Sequence, residues 1–155
     1  MPRIKMKIYR IEQADGTTVP MPTYSTEGAC AFDLYSANTE KIYINPNENA
    51  MVSLGIKVEV PVGYQLLLFN RSGMATKNDC VLTTGVSIID SDYRGEVIAP
   101  IKNHGNNTVI IEPFTRICQG QLIPVPQCEF EDVVSELSLS DTDRNSGSFG
   151  STGTK

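Results

Sequence analysis

The chain has 155 residues, with 13 Lys+Arg against 18 Asp+Glu, a single His, four Cys and no Trp. That length suits one domain around one core. The formal charge of -5 argues against the broad basic footprint that duplex DNA or RNA binding needs, so no nucleic-acid partner is expected. A few well-placed Arg side chains and backbone N–H groups could still hold a small anion.

No apolar run approaches the roughly 20 residues that span a bilayer, and no membrane association is expected. The N-terminal residues lack the uninterrupted apolar stretch of a secretory signal. Cys30, Cys80, Cys118 and Cys128 form no C-x-x-C pair, and His104 is the only His available beside them. A zinc site is therefore not expected. The cysteines read as reduced, mostly buried thiols in the cytoplasm or another reducing intracellular compartment. His104 sits in Lys102-Asn103-His104-Gly105-Asn106-Asn107, a turn, and reads as a solvated side chain rather than the base of a triad.

In chain order, Arg3 to Ile8 alternates charged and apolar residues. Val52, Leu54, Ile56, Val58 and Val60 alternate with more polar neighbours. Both segments read as strands with one buried face. Apolar runs follow at Tyr64–Phe69, Val86–Ile89, Val97–Ile101, Val109–Ile111 and Ile117–Val125, separated by turn residues such as Pro61-Val62-Gly63 and Glu112-Pro113. Short strands at this spacing predict an all-β sandwich or barrel. Only Ser72–Asn78 and Glu131–Leu139 suggest helix. From Ser140 to Lys155 the one apolar residue is Phe149, so this tail cannot bury enough surface to order itself alone. The division expected is a β domain over 1–139 and a Gly/Ser-rich arm over 140–155.

Five clusters could carry chemistry. Ile88-Ile89-Asp90-Ser91-Asp92-Tyr93-Arg94-Gly95-Glu96 puts a carboxylate directly after branched apolar residues, where partial desolvation would make it a better base; a charged surface loop is the alternative. Arg71-Ser72-Gly73 follows a strand and could open a helix toward an anion, or be a turn with a solvated Arg. In Ala31-Phe32-Asp33-Leu34-Tyr35 an Asp interrupts an apolar stretch; it could reach a metal through water, cap a turn, or pair with an Arg. Gln119, in Arg116-Ile117-Cys118-Gln119, could hold a water. Arg144 precedes Gly147-Ser148-Phe149-Gly150-Ser151-Thr152-Gly153, which joins a cation, a flat ring and backbone able to wrap a phosphate.

Taken together and in order, A-C-A-F-D-L-Y-S, N-R-S-G-M-A, G-V-S-I-I-D-S-D-Y-R-G-E, R-I-C-Q-G-Q-L and R-N-S-G-S-F-G-S-T-G resemble the five motifs of the trimeric deoxyuridine triphosphatases (dUTPases). The resemblance implies a jelly-roll-like β-barrel homotrimer that cleaves dUTP to dUMP and pyrophosphate with Mg2+ on the triphosphate. It makes Asp90 the base for the attacking water and Gln119 its second holder. Arg71, Ser72 and Gly73 become the phosphate turn, with Ser72 stabilising charge as pyrophosphate leaves. Asp33 becomes the carboxylate that reaches the metal through water. Thr84, Ser87, Ile88, Ile89 and Ile98 match a hairpin that reads uracil mainly through its backbone, and Tyr93 packs under the deoxyribose. Arg144, Phe149, Gly150, Ser151 and Thr152 match an arm that stacks on uracil and clamps the γ-phosphate. Each site would combine motifs one, two and four of one subunit with motif three of a second and the tail of a third.

Some positions depart from the family pattern. Asn70 stands where proline is common, Ala31 where Gly is usual, Thr84 where Asn is frequent, and Ser87, Asn145 and Ser148 at glycine positions. A dCTP deaminase has similar motif order, but deamination needs a water-activating Glu within the third motif, where this chain has Asp90. A nucleotide-dependent binding protein and a purely structural β trimer are the readings from other classes.

Overall fold

The computed structural model describes residues 3–147. Its strands are β1 (Lys7–Arg10), β2 (Phe32–Tyr35), β3 (Ile42–Ile44), β4 (Asn49–Glu59), β5 (Tyr64–Asn70), β6 (Cys80–Leu82), β7 (Ser87–Ile89), β8 (Glu96–Asn103), β9 (Val109–Ile111) and β10 (Arg116–Pro124), with one helix, α1 (Ser72–Asn78). They form two four-stranded sheets, β1-β4-β8-β6 and β2-β10-β5-β7, and a β3-β9 ribbon. All pairings are antiparallel. This is an all-β, jelly-roll-like architecture, and among the described residues no ladder closes the two sheets into a barrel.

The core follows from alternation. Val52, Leu54, Ile56 and Val58 of β4 and Val97, Ala99 and Ile101 of β8 turn inward from one sheet; Leu34, Leu66, Leu68 and Ile117 turn inward from the other. Two polar side chains are fully buried with their bonds made. Asn103 donates to Ile44 O at 2.9 Å and Asn107 O at 2.8 Å, and Ser36 accepts from Thr115 N at 3.0 Å. Both knit the β3-β9 ribbon and its flanking turns to the sheets, as a buried polar group must if it is not to cost stability. No helix among the described residues is long and apolar enough to cross a membrane.

Four expectations need correction. The N-terminal strand lies at Lys7–Arg10 rather than Arg3–Ile8, because pairing with β4 starts where Lys7 faces Glu59. Glu131–Leu139 is not an α-helix; it holds one 3-10 turn, Glu136–Ser138, and without packing so short a segment cannot overcome helix nucleation. The residues read as a hairpin do not pair with one another, since β7 lies beside β5 and β8 lies beside β4 in the other sheet. The cysteines divide evenly: Cys80 and Cys118 are buried, whereas Cys30 and Cys128 are exposed.

Gly120 lies opposite Phe32 in the β10-β2 ladder, and a Cβ there would sit 2.8 Å from Cζ of the Phe32 ring. Gly120→Ala is expected to cost about 1–3 kcal/mol through overpacking. Urea unfolding followed by circular dichroism measures this, and an unchanged midpoint would mean the ring swings aside freely.

Candidate functional site

Three adjacent strands bring motifs together that lie far apart in sequence. Asp33 on β2 faces Gln119 on β10, and Gln119 faces Phe69 on β5. The β5 strand ends at Asn70, and Arg71 then caps α1. Asp33 is 6% exposed, and its carboxylate is the hub. Its Oδ1 accepts from Arg71 Nε and from Gln119 Nε2, each at 3.2 Å, and its Oδ2 accepts from an Arg116 guanidinium nitrogen at 3.2 Å. Of the alternatives open for Asp33, pairing with an Arg is realised, and twice over. An ionised carboxylate offers about four acceptor positions. Three are filled, which leaves one on Oδ2 able to accept from a water.

The cleft over this hub has a volume of about 410 Å³ and is lined by Ser25, Asp33, Arg71, Ser72, Gly73, Thr76, Lys77, Arg116 and Gln119. Three cations face a single carboxylate there, in a chain whose net charge is negative. Ser72 opens α1 with no side-chain cap on the first turn, so backbone N–H groups remain for a ligand. The chemistry suits an anion with several oxygens. The sequence reading assigned no role to Arg116 or Lys77. The signal for Arg116 was present: a buried Asp within an apolar stretch calls for a cation, and Arg116 opens the strand that pairs with β2.

Directly behind the cleft, Cys118 is fully buried, and its thiol is pushed up to about 12 by that burial, with the Asp33 charge adding to the effect. Among the described residues no group of three or more His, Cys, Asp or Glu is arranged to hold a metal. A direct protein cage for a cation is absent there, whereas the one free Oδ2 position fits a water-mediated contact.

The third motif is elsewhere. Asp90 follows β7 and is exposed, so the desolvation expected from its apolar neighbours is not met within one chain. Tyr93 N donates to Asp90 O at 3.2 Å, and Tyr93 Oη donates to Glu96 O at 2.9 Å. Gly95 lets the ring lie against the backbone, since any Cβ there would overlap it. Glu96 in turn accepts from the Ser53 hydroxyl. Ile88 and Ile98 are exposed, and Ile89 and Ser87 are half-buried. The Thr84 and Ser87 hydroxyls are hydrogen-bonded at 2.7 Å. Among the described residues the β7 strand is the edge of its sheet, with no strand beside one side of its backbone.

Asp90 and Gln119 therefore do not meet. Gln119 faces Phe69, whereas Asp90 follows Ile89, which faces Leu66. Two strand spacings of about 4.8 Å and four rises of about 3.3 Å put their backbones roughly 16 Å apart. Asp90 lines a different hollow, of about 570 Å³, with Val62, Gly63, Tyr64, Gln65, Val125 and Gln127 among its walls. Arg144 lies in an exposed turn, where Nε donates to Gly147 O at 2.9 Å. Phe149, Gly150, Ser151 and Thr152 lie outside the described residues.

The dUTPase family model matches residues 17–153. The deoxyuridine 5'-triphosphate nucleotidohydrolase of Chlamydia pneumoniae is 44% identical over 133 residues, covering 86% of this chain and 90% of its own. That of Bdellovibrio bacteriovorus is 39% identical over 153 residues and covers 99% of both chains. A solved Staphylococcus bacteriophage 80alpha dUTPase with dUPNHPP superposes with a TM-score of 0.83, at 23% identity, over 96% of this chain and 98% of that one. At that identity the likeness speaks for the fold.

Cys118 gives a pH dependence. Its thiol ionises near 9.0 when unperturbed and at about 12 in the fold. A raised folded-state value means its contribution is complete below about pH 9 and is lost as pH climbs toward 12. The urea midpoint is expected to fall between about pH 8 and pH 10.5, and less steeply in Cys118→Ala. Equal slopes in the two proteins would contradict this. In the native protein, Ellman's reagent should titrate Cys30 and Cys128 and leave Cys80 and Cys118 unreacted.

Proposed function

The chain belongs to the dUTPase family and hydrolyses dUTP, and from that premise we propose that it does so at sites assembled between three copies, with Asp90 of one copy serving the phosphate cleft of another. The observation that carries this is the split described above. Asp33, Arg71, Arg116 and Gln119 form one knot, while Asp90 stands roughly 16 Å from Gln119 at the end of the far edge strand, with Tyr93 in the loop beyond it. A single chain thus presents half a site twice. Phe130, Val134, Leu137 and Leu139 are also exposed beyond the last strand, which supports a surface that another copy covers. Among the described residues packing ends near Val125, and we propose that the arm, residues 140–155, crosses to a third copy.

In this reading Asp90 takes a proton from a water that Gln119 helps to hold, and the water oxygen bonds to the α-phosphorus. The bond from that phosphorus to the bridging oxygen breaks, and the products are dUMP and pyrophosphate. Arg71 and the Ser72 and Gly73 N–H groups bind the phosphates, and the Ser72 hydroxyl donates to charge that grows as pyrophosphate leaves. Positioning and electrostatics supply the rate, so no protein nucleophile is needed. Mg2+ on the triphosphate would neutralise phosphate charge, with Asp33 holding one of its waters through the free Oδ2 position. The cleft's surplus of cations fits an ion that arrives with its phosphates rather than alone.

Uracil is read by backbone groups of the β7 edge, from Thr84 through Ser87, Ile88 and Ile89, with Ile98 beside them. Fixed donors and acceptors match uracil and leave cytosine unpaired at two positions, a mismatch that discriminates strongly. Tyr93, braced on Glu96 O and flat over Gly95, fills the place of a 2′-hydroxyl. Arg144 and the ring of Phe149, with Gly150, Ser151 and Thr152, close the site from the arm. The products serve nucleotide metabolism: uracil is kept out of DNA and dUMP is supplied for thymidylate synthesis. The four free thiols support a reducing compartment such as the cytoplasm.

A pyrophosphate-release panel with Mg2+ tests the chemistry. dUTP should turn over and dCTP, dTTP and UTP should not, and Asp90→Asn should lose at least about 100-fold in kcat. Equal turnover of UTP and dUTP would sink the role of Tyr93.

The shared site has a separate test. Arg71→Ala and Asp90→Asn proteins, each inactive as a homotrimer, are co-expressed so that subunits mix at random. About a quarter of the sites then carry both wild-type residues, and activity should return to that level. No recovery would place the whole site on one chain.

A further inference from the structure

Asn70 closes β5 and immediately precedes Arg71, yet its side chain is committed in another direction. Its Oδ1 accepts from the Leu82 N–H at 2.7 Å. Leu82 ends β6 and is buried. Successive N–H groups of a strand point to alternate sides, and the next one, Thr83 N, donates to Pro100 O of β8 at 2.8 Å. The Leu82 N–H therefore faces away from β8, and Asn70 supplies its acceptor. The Leu82 carbonyl accepts from Gly85 N at 3.0 Å, closing the turn in which Gly85 takes φ +68 and which leads into β7. One residue is thus held through its N–H by the strand end that precedes Arg71-Ser72-Gly73 and through its C=O by the turn before β7.

We propose that Asn70 is a positioning residue that sets the Thr84–Ile89 segment relative to Arg71-Ser72-Gly73. The inference rests on the reading that both segments bind substrate. Because the two segments serve different shared sites, Asn70 joins the phosphate end of one site to the base end of the next. Without its Oδ1, a buried N–H loses its acceptor, and the turn that orients β7 loses its anchor.

The test separates the two ends of the substrate by NMR titration of the full-length trimer. The probes are deoxyuridine, which carries no phosphate, and inorganic pyrophosphate, which carries no base. Asn70→Ala is expected to weaken deoxyuridine binding roughly tenfold. Asn70→Asp, which keeps an acceptor at the same atom, should stay within about threefold of wild type. Pyrophosphate affinity should shift less than deoxyuridine affinity in Asn70→Ala. A merely structural role would lower the melting temperature and move both probes together, or neither.

Unchanged deoxyuridine binding in Asn70→Ala overturns the proposal, as does equal weakening in the Ala and Asp variants. If Asn70→Ala does not fold, Asn70→Ser, whose hydroxyl is too short to reach Leu82, carries the same two outcomes. Hydrolysis of dUTP by the wild type together with unchanged deoxyuridine binding in Asn70→Ala sinks this inference alone. Failure of the wild type to hydrolyse dUTP sinks the functional reading and this inference with it.

Discussion

A buried carboxylate with two guanidiniums on it is the constraint around which the candidate site is organised. Asp33 sits among apolar neighbours on β2, where an unpaired negative charge would be strongly disfavoured. Arg71, Arg116 and Gln119 answer that demand from two other segments, and in doing so fix the strand end, the turn and the start of α1 against one another. Only the carboxylate of this set is buried, so losing one cation leaves Asp33 with one partner fewer, at a cost moderated by the half-exposure of Arg116. The knot also overcompensates. Two full positive charges meet one negative charge, and the surplus, with Lys77 beside it, turns outward into a cleft. A chain with a net charge of -5 thereby presents a local pocket for a polyanion. The same side chains hold the fold and make the ligand field.

Sheet geometry then explains why this pocket is incomplete. Strands are stiff, and the distance between two positions on one sheet follows from ladder register alone. Four residues along and two strands across separate Asp90 from Gln119, and no rotamer of an Asp side chain spans roughly 16 Å. In the proposed chemistry, the base for this cleft is supplied by another copy. An assembly in which each copy supplies both halves, to two different neighbours, satisfies the geometry without bending a strand.

Much of this was legible in the sequence, and what was not has identifiable causes. The strands at Tyr64–Asn70, Glu96–Asn103 and Arg116–Pro124 announce themselves as apolar runs between turn residues, and Asn49–Glu59 by its alternation. The three-residue strands Ile42–Ile44 and Cys80–Leu82 do not, although Val109–Ile111, equally short, stands out as an apolar run. β2 was legible as a site motif rather than as a strand, because Asp33 breaks its apolar pattern. That break was itself the clue to a buried ion pair. Glu131–Leu139 carries apolar residues at helical spacing but has nothing to pack on within one chain, so the local pattern has no tertiary partner to stabilise it. The separation of Asp90 from Gln119 depends on which strands are neighbours, and sequence spacing does not contain that.

In the proposed reading, recognition and folding hazard meet in one element, the β7 edge. Reading a base through main-chain groups requires a strand whose N–H and C=O groups on one side are unpaired, and an unpaired edge is a template for aggregation. β7 resolves the conflict by its dimensions. It is three residues long, it begins just after the Gly85 turn, and it ends at the Asp90 carboxylate. Too few consecutive backbone groups are offered for another chain to add a stable strand, yet enough remain for a planar heterocycle that presents three polar positions. The turn that delivers β7 is tied by Leu82 to the end of β5, so the short edge is held in place by a neighbour rather than by length. A short, externally braced edge can therefore be rigid enough to discriminate while staying too small to polymerise.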